Sequence, residues 1–252
     1  MGKVYAVISG KGGVGKTTSA INLGFSLNEL GKETVVVDAN LTTPNIGINL
    51  GSPVVPITLN HVIKGEARVE EAIYEHETGT KILLSSLSVD ELKNLKHEKI
   101  PEVAKKLKKI ADVVILDSSA GLGEEARATL KAADEVVIVT NPEISAVTDA
   151  LKTIKLAEQL NKKIAGVIIS RHQGKKWELS QEIVRDMLEY PLLGVVPEDA
   201  SVKESLKMKN AVLITHPKSK ASRAYRKIAK RLIGLNEDES FFRKLLKKLG
   251  LG

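Results

Sequence analysis

The sequence predicts an α/β fold, a doubly wound, mostly parallel sheet flanked by helices, and three observations point there. Short β-branched runs bounded by turn residues alternate with helical patterns along the chain. Runs as uniformly apolar as VVILD and EVVIVT suit strands covered on both faces. The chain of 252 residues is long enough for one large α/β domain or two small ones. Repeated strand–helix units then build a doubly wound sheet with its ligand site at the carboxyl ends of the strands.

Taken in order, strands are expected at Val4–Ser9, Thr34–Val37, Lys81–Ser85, Val113–Leu116, Glu135–Thr140, Ile164–Ser170 and Leu192–Val196. The run AVLIT, Ala211–Thr215, is a candidate eighth. Helical spacing marks Thr18–Leu30, Pro101–Ile110, Glu124–Ala132, Ala146–Leu160, Glu178–Leu188 and Ala221–Ile233. Nothing within residues 1–233 reads as a repeat or a low-complexity linker. The stretch GLNEDES, Gly234–Ser240, combines glycine, asparagine and acids and reads as a hinge before a final segment, 241–252.

Composition narrows the chemistry. There is no cysteine, which removes disulfides, thiolate nucleophiles and cysteine-ligated clusters, and makes a cytoplasmic location the expectation. The five histidines are scattered and form no metal-ligating spacing. No run approaches the ~18 apolar residues of a membrane span, and the first residues read as a strand and not as a signal peptide. The net charge is +7, but from Lys218 onward eleven Lys/Arg face three acids, a local +8. The excess therefore belongs to the C-terminal end, where a polyanionic partner is to be sought.

Between the first strand and first helix lies GKGGVGKT, Gly10–Thr17, which satisfies G-x-x-x-x-G-K-[ST] in a strand–loop–helix setting. Gly10, Gly12, Gly13 and Gly15, with Lys11 and Val14 between them, allow backbone N–H groups to converge on phosphate oxygens. Thr18 follows at the helix N-terminus, whose dipole favours an anion. Lys16 is placed to bridge the β- and γ-phosphates of ATP, and the Thr17 hydroxyl to ligate Mg²⁺. By chemistry alone, Lys11 reads as a solvated surface lysine.

The full string KGGVGKTT resembles the deviant phosphate loop of the MinD/ParA ATPases. That resemblance implies a SIMIBI-type P-loop NTPase and ATP-dependent homodimerisation, in which Lys11 reaches the partner's phosphates. VVVDANLTTPNIGINLG resembles the family's first switch, which implies that Asp38 orients or activates the attacking water, with Asn45 on the same loop. ADVVILDSSAGLG resembles the second switch, implying that Asp117 holds Mg²⁺ through water and that Gly121 offers its N–H to the γ-phosphate. Ser119 stands where related sequences usually carry proline. IISRHQ and VVPEDASV fall where relatives contact the base and ribose, which implies Arg171, Pro197, Glu198 and Asp199 around adenine. The resemblance spans roughly residues 3–233.

Two readings of the basic end remain. Helix Ala221–Ile233 turns Arg223, Arg226, Lys227, Lys230 and Arg231 outward, a face able to bind DNA phosphates as ParA-type proteins do, or simply a solvated one. The last residues segregate more sharply. At 100° per residue, Phe241, Phe242, Leu245, Leu246 and Leu249 fall within about 140° of arc, and Arg243, Lys244, Lys247 and Lys248 fill the rest. Such a helix suits an anionic membrane interface, and MinD proteins end in a comparable segment; the alternative is a final helix docked on the core. The expectation is an ATPase switch, cytoplasmic and reversibly peripheral on the inner face of the cell membrane. It would act with unidentified protein partners in positioning cellular machinery.

Overall fold

The structure is a computed structural model that describes residues 2–93 and 95–235. Its elements begin with β1 (Lys3–Ser9), α1 (Lys16–Glu29), β2 (Thr34–Asp38), and the short helices α2 (Ile46–Asn49) and α3 (Leu59–Lys64). Strands β3 (Ile73–Glu75) and β4 (Lys81–Leu83) follow, then α4 (Ile100–Leu107), β5 (Val113–Ala120), α5 (Glu124–Ala132) and β6 (Glu135–Thr140). The chain continues through α6 (Ile144–Gln159), β7 (Lys163–His172), α7 (Gln181–Leu188), β8 (Leu192–Pro197), α8 (Ala200–Lys207), α9 (Val212–Thr215) and α10 (Lys220–Leu232).

The eight strands form one sheet in the order β3-β4-β2-β5-β1-β6-β7-β8, parallel except for the antiparallel β3–β4 pair. β1 lies between β5 and β6, so successive units wind to one side of it and then to the other, and the ligand site is expected at that reversal. The apolar runs explain the layering. Val4 and Val114 face the cluster under α3 and α4, whereas Tyr5, Val7 and Ile115 face the one under α1 and α10. Gly24 lets α1 lie close on β2, since a Cβ there would stand 2.1 Å from Val36 Cγ2.

The expected order of elements holds, with instructive differences. Ala211–Thr215 does not form a strand: Val212–Thr215 is a single helical turn packed with α8 and α10 on the α1 side of the sheet. Leu213 N–H donates to Asn22 Oδ1 on α1 (3.3 Å). An apolar run this short carries no period that separates a strand from a buried helix. β5 continues beyond Leu116 to Ala120, so Asp117 lies inside the strand and not at its end. Helix α7 begins at Gln181, because Glu178 is used otherwise: its carboxylate accepts the N–H groups of Gln173 and Lys175 and closes the preceding loop.

Helix α10 buries Ala221, Tyr225, Ile228, Ala229 and Leu232, with Ala224 and Ile233 half-buried against the same cluster. Its cations are not all turned to solvent, however. Arg226 forms a two-pronged ion pair with Glu29 of α1 (Nε–Oε2 2.7 Å, Nη2–Oε1 2.8 Å), and Arg231 Nη1 donates to Leu193 O (3.0 Å). The helix ends where Gly234 turns left-handed at φ 72°, with Leu235 N–H on Lys230 O and Gly234 N–H on Arg231 O. This is the glycine-terminated end that satisfies the last carbonyls. The proposed membrane segment, Phe241–Leu249, and most of the hinge lie outside the described residues.

Candidate nucleotide site

The phosphate loop connects β1 to α1 at the carboxyl edge of the sheet. Gly13 (φ 77°) and Gly15 (φ 92°) are both left-handed, which is costly for any residue with a Cβ. Gly10 is required for a different reason: a Cβ there would stand 2.2 Å from the Asp149 carbonyl oxygen of α6. At Gly12 a Cβ would meet nothing within 4 Å, so packing inside this chain does not demand glycine there. The loop is pinned where Val14 enters the core and its carbonyl accepts the Ser170 hydroxyl. Asn141 Nδ2 in turn donates to Ser170 O (3.0 Å) and Oγ (3.2 Å).

Helix α1 starts directly at Lys16, with no side-chain cap and no acidic residue in its first turn. Its leading N–H groups therefore lack intrahelical acceptors and point out of the helix end, as an anion site requires. Lys16 Nζ sits 2.9 Å from Asp117 Oδ1, with both side chains almost fully buried. Asp38 and Asp117 are register partners on β2 and β5, so two carboxylates lie side by side. Asp38 Oδ2 accepts the N–H groups of Asn45 (2.9 Å) and Ile46 (2.8 Å), which ties the loop after β2 back to its strand. Burial first, and the Asp117 carboxylate second, push Asp38 up to about 8 against these donors and Lys16.

Asp38 Oδ1, Asp117 Oδ2 and the Ser118 hydroxyl are buried with no hydrogen-bond partner. Orphaned carboxylate oxygens at this depth are costly unless a cation or water satisfies them. They and the half-buried Thr17 hydroxyl fit a hard divalent ion that takes few protein oxygens and completes its shell with water and phosphate. Gly121 is arranged differently from the expectation: its N–H donates to Ser9 O (3.0 Å), extending the β5–β1 pairing, so it would reach a phosphate only after leaving that carbonyl. Lys11 lies at the mouth, 46% exposed, with its Nζ 3.8 Å from Glu143 Oε2.

Beside the loop a cavity of about 290 Å³ takes in Thr18, Arg171, Pro197, Glu198 and Asp199, four of which were expected around a base. Arg171, itself left-handed at φ 56°, donates from Nε to Glu198 Oε2 (3.0 Å) and from Nη1 to Gly13 O (3.2 Å). Burial raises the Glu198 carboxyl, but Arg171 and Lys203 outweigh it and hold it below the ordinary range. Both oxygens of the Asp199 carboxylate are bonded to backbone. Oδ1 accepts Ser201 N–H at the start of α8 and Oδ2 accepts Ala221 N–H at the start of α10, both at 3.0 Å. The apolar walls, Val196, Leu206 and Tyr225, escaped sequence reasoning, as did Ser170. Tyr225 is fully buried, its hydroxyl 3.3 Å from Ser19 Oγ and pushed up to about 12 by burial. Its signal was its place on α10 as that helix's one aromatic residue.

A phosphate loop opening onto an apolar slot, with paired carboxylates on neighbouring strands, defines a P-loop nucleotide-binding protein. Comparison with known proteins makes the family specific. The AAA domain family matches residues 2–166, and the NifH/frxC family of 4Fe-4S iron–sulfur cluster binding proteins matches 107–248. The second likeness cannot extend to thiolate-held clusters, because the chain has no cysteine. An uncharacterised ATP-binding protein of Methanocaldococcus jannaschii is 36% identical across 99% of this chain and 97% of its own. A septum site-determining protein MinD of Synechocystis is 31% identical across 93% and 90%. The structure of MinD from Pyrococcus horikoshii complexed with Mg-ADP superposes with a TM-score of 0.88 at 34% identity, over 92% of this chain and 96% of that one. The chain belongs to the MinD/ParA family of P-loop ATPases.

Proposed function

We propose that this chain is an ATP-hydrolysing switch of MinD type. Residues 1–233 would bind Mg-ATP and pair with a second copy, 234–240 would act as a hinge, and 241–252 would hold the pair on an anionic membrane. Hydrolysis to ADP releases it, and the cycle serves positioning of the division site or other machinery through protein partners. The observation that carries this reading is the two-lysine phosphate loop. Lys16 is buried at the helix end while Lys11 stands half exposed at the mouth, in a cis contact too long for a hydrogen bond.

The Thr17 hydroxyl and, through water, Asp117 would hold Mg²⁺, which would supply charge neutralisation to the bound phosphates. Lys16 exchanges Asp117 for phosphate, which leaves Asp117 and the Thr17 hydroxyl to face the ion. Asp38, raised above the ordinary carboxylate range by burial and the neighbouring Asp117, is placed to orient and deprotonate water. Asn45, tied to Asp38 through its N–H, carries the first switch with it. Lys11 leaves Glu143 for the partner's phosphates.

One tail orders only as it binds and holds weakly, because so short a helix is marginal in water. Two tails on one dimer raise avidity by something like 10²–10⁴. Liposome sedimentation with ATP, with ADP, and after deletion of 240–252 tests the scheme: strong pelleting is expected with ATP and the full chain alone. Equal pelleting in all three would reject it. Lys11→Ala should abolish ATP-dependent dimers in light scattering, and a persisting dimer would count against the sandwich. The competing DNA reading is disfavoured by Arg226, which is committed to Glu29.

A further inference from the structure

The loop between β2 and α2, expected to act as the first switch, is closed largely on itself. Asn40 and Thr43 share two bonds, and Asn45 Nδ2 donates to Thr43 O (2.7 Å). The N–H groups of Asn45 and Ile46 both end on Asp38. Three ties then lead from this loop to the second switch and to the helix that follows it. Ala39 N–H donates to Asp117 O (2.9 Å). Leu41 is fully buried in the apolar cluster that also holds Ala128 of α5. Thr42 N–H donates to Glu125 Oε1 (3.0 Å), in the first turn of α5. The helix dipole alone favours a carboxylate there, but this one also grips a loop 83 positions away.

We propose that Glu125 is a positioning residue that couples the two switches. It acts through Thr42 and not on the nucleotide. Gly121, Leu122 and Gly123 alone separate β5 from α5, so a Gly121 N–H that leaves Ser9 O for the γ-phosphate pulls on the first turn of α5. That turn carries Glu125, and Glu125 carries Thr42. Thr42 stands three residues before Asn45, whose N–H, with that of Ile46, fixes Asp38 Oδ2. The presence of a γ-phosphate at one loop is thereby passed to the carboxylate that orients water at the other. Two discrete arrangements of a bonded chain are what such coupling requires. This inference rests on the ATP-hydrolysing reading of the site, and adds to it the residue through which the two loops move together.

The test compares the full chain with Glu125→Ala and Glu125→Gln, the last keeping an oxygen that can accept Thr42 N–H. Amide hydrogen exchange at Gly121, Asn45 and Ile46 is followed with Mg-ADP and with a non-hydrolysable Mg-ATP analogue. In wild type and Glu125→Gln the analogue should slow exchange at both loops about 10-fold more than ADP does. In Glu125→Ala that extra slowing should persist at Gly121 and vanish at Asn45 and Ile46. Its kcat for ATP should fall about 10-fold with KM within about 2-fold and ADP affinity unchanged. A bond that merely stabilises the fold would instead speed exchange at Asn45 and Ile46 equally with both nucleotides, and that result would overturn the proposal. So would analogue-specific slowing at both loops of Glu125→Ala. No difference between analogue and ADP at either loop of the wild type would overturn the ATP-switch reading itself, and this proposal with it.

Discussion

Replacing Asp199 by alanine separates two roles that its sequence position allows. The carboxylate bonds the first turns of α8 and α10 at once, through Ser201 N–H and Ala221 N–H. Loss of one helix cap costs about 1 kcal/mol, and two half-buried donors are left unpaired here, so Asp199→Ala should cost roughly 2–3 kcal/mol. At about 2–4 °C per kcal/mol for a protein of this size, the unfolding temperature should fall by ~5–10 °C. Asp199→Asn keeps one acceptor and should fall about halfway. The pH dependence has a definite sign. Burial raises the group, but the backbone donors outweigh burial and hold Asp199 below its ordinary 3.8. Its contribution is therefore complete above that value and lost as pH falls through the depressed folded value, and the wild-type advantage should shrink only in acid. Thermal unfolding of nucleotide-free protein from neutral pH into acid reads all of this. An alanine variant that melts with the wild type, yet binds ADP poorly, would show that Asp199 serves the ligand instead.

Asp38 gives the opposite pH trend. Its folded value is raised to about 8, so its stabilising contribution is complete below the ordinary 3.8 and is lost as pH rises towards 8. Asp38→Asn should gain stability over wild type progressively as pH rises from 5 to 8, since the asparagine has no charge to bury. Denaturant unfolding in chelator measures it, and a constant difference would contradict the burial of two adjacent carboxylates. Gly10→Ala drives a methyl onto the Asp149 carbonyl. It should weaken ADP binding by more than ~10-fold in calorimetry, whereas Gly12→Ala, with open space, should fold with wild-type stability.

The legible parts of the chain were those where one local signal decides the outcome. Strand Glu135–Thr140 and helix Glu124–Ala132 have the same bounds in sequence and structure, because an unbroken β-branched run and a clear 3.6 period each admit a single reading. Gly13 and Gly15 were legible because the loop needs positive φ. What stayed hidden depends on partners distant in sequence. The extension of β5 to Ala120 follows from its pairing with Ser9, and SSAG has little strand propensity of its own. Asp199 was expected near the base from the resemblance of VVPEDASV to the relatives' segment; its bond to Ala221, twenty-two positions on, cannot be read from either segment. The pairing of Lys16 with Asp117 spans 101 positions, and only the register of β1 and β5 brings it about.

Helix α10 joins the two poles of the sheet, and a single glycine sets its distance. Its first turn is bonded to Asp199, Tyr225 lines the nucleotide cavity, and the Leu232 carbonyl accepts the Tyr5 hydroxyl (3.1 Å) one strand length away. Between them, Ile228 lies so close over Gly194 that a Cβ there would stand 2.6 Å from Ile228 Cγ1. Gly194→Ala must therefore lift the middle of α10 or force Ile228 off its rotamer, a cost of about 1–3 kcal/mol. Because Tyr225 sits one turn before Ile228 on the same buried face, lifting the helix also opens the cavity wall. ADP affinity should then fall along with stability, and Ile228→Ala in the same chain, which removes both Cγ1 and Cδ1, should restore part of the ADP affinity by making room. If the alanine variant lost stability but bound ADP as tightly as wild type, Tyr225 would have to be held by Ser19 alone. The helix would then not act as a rigid strut.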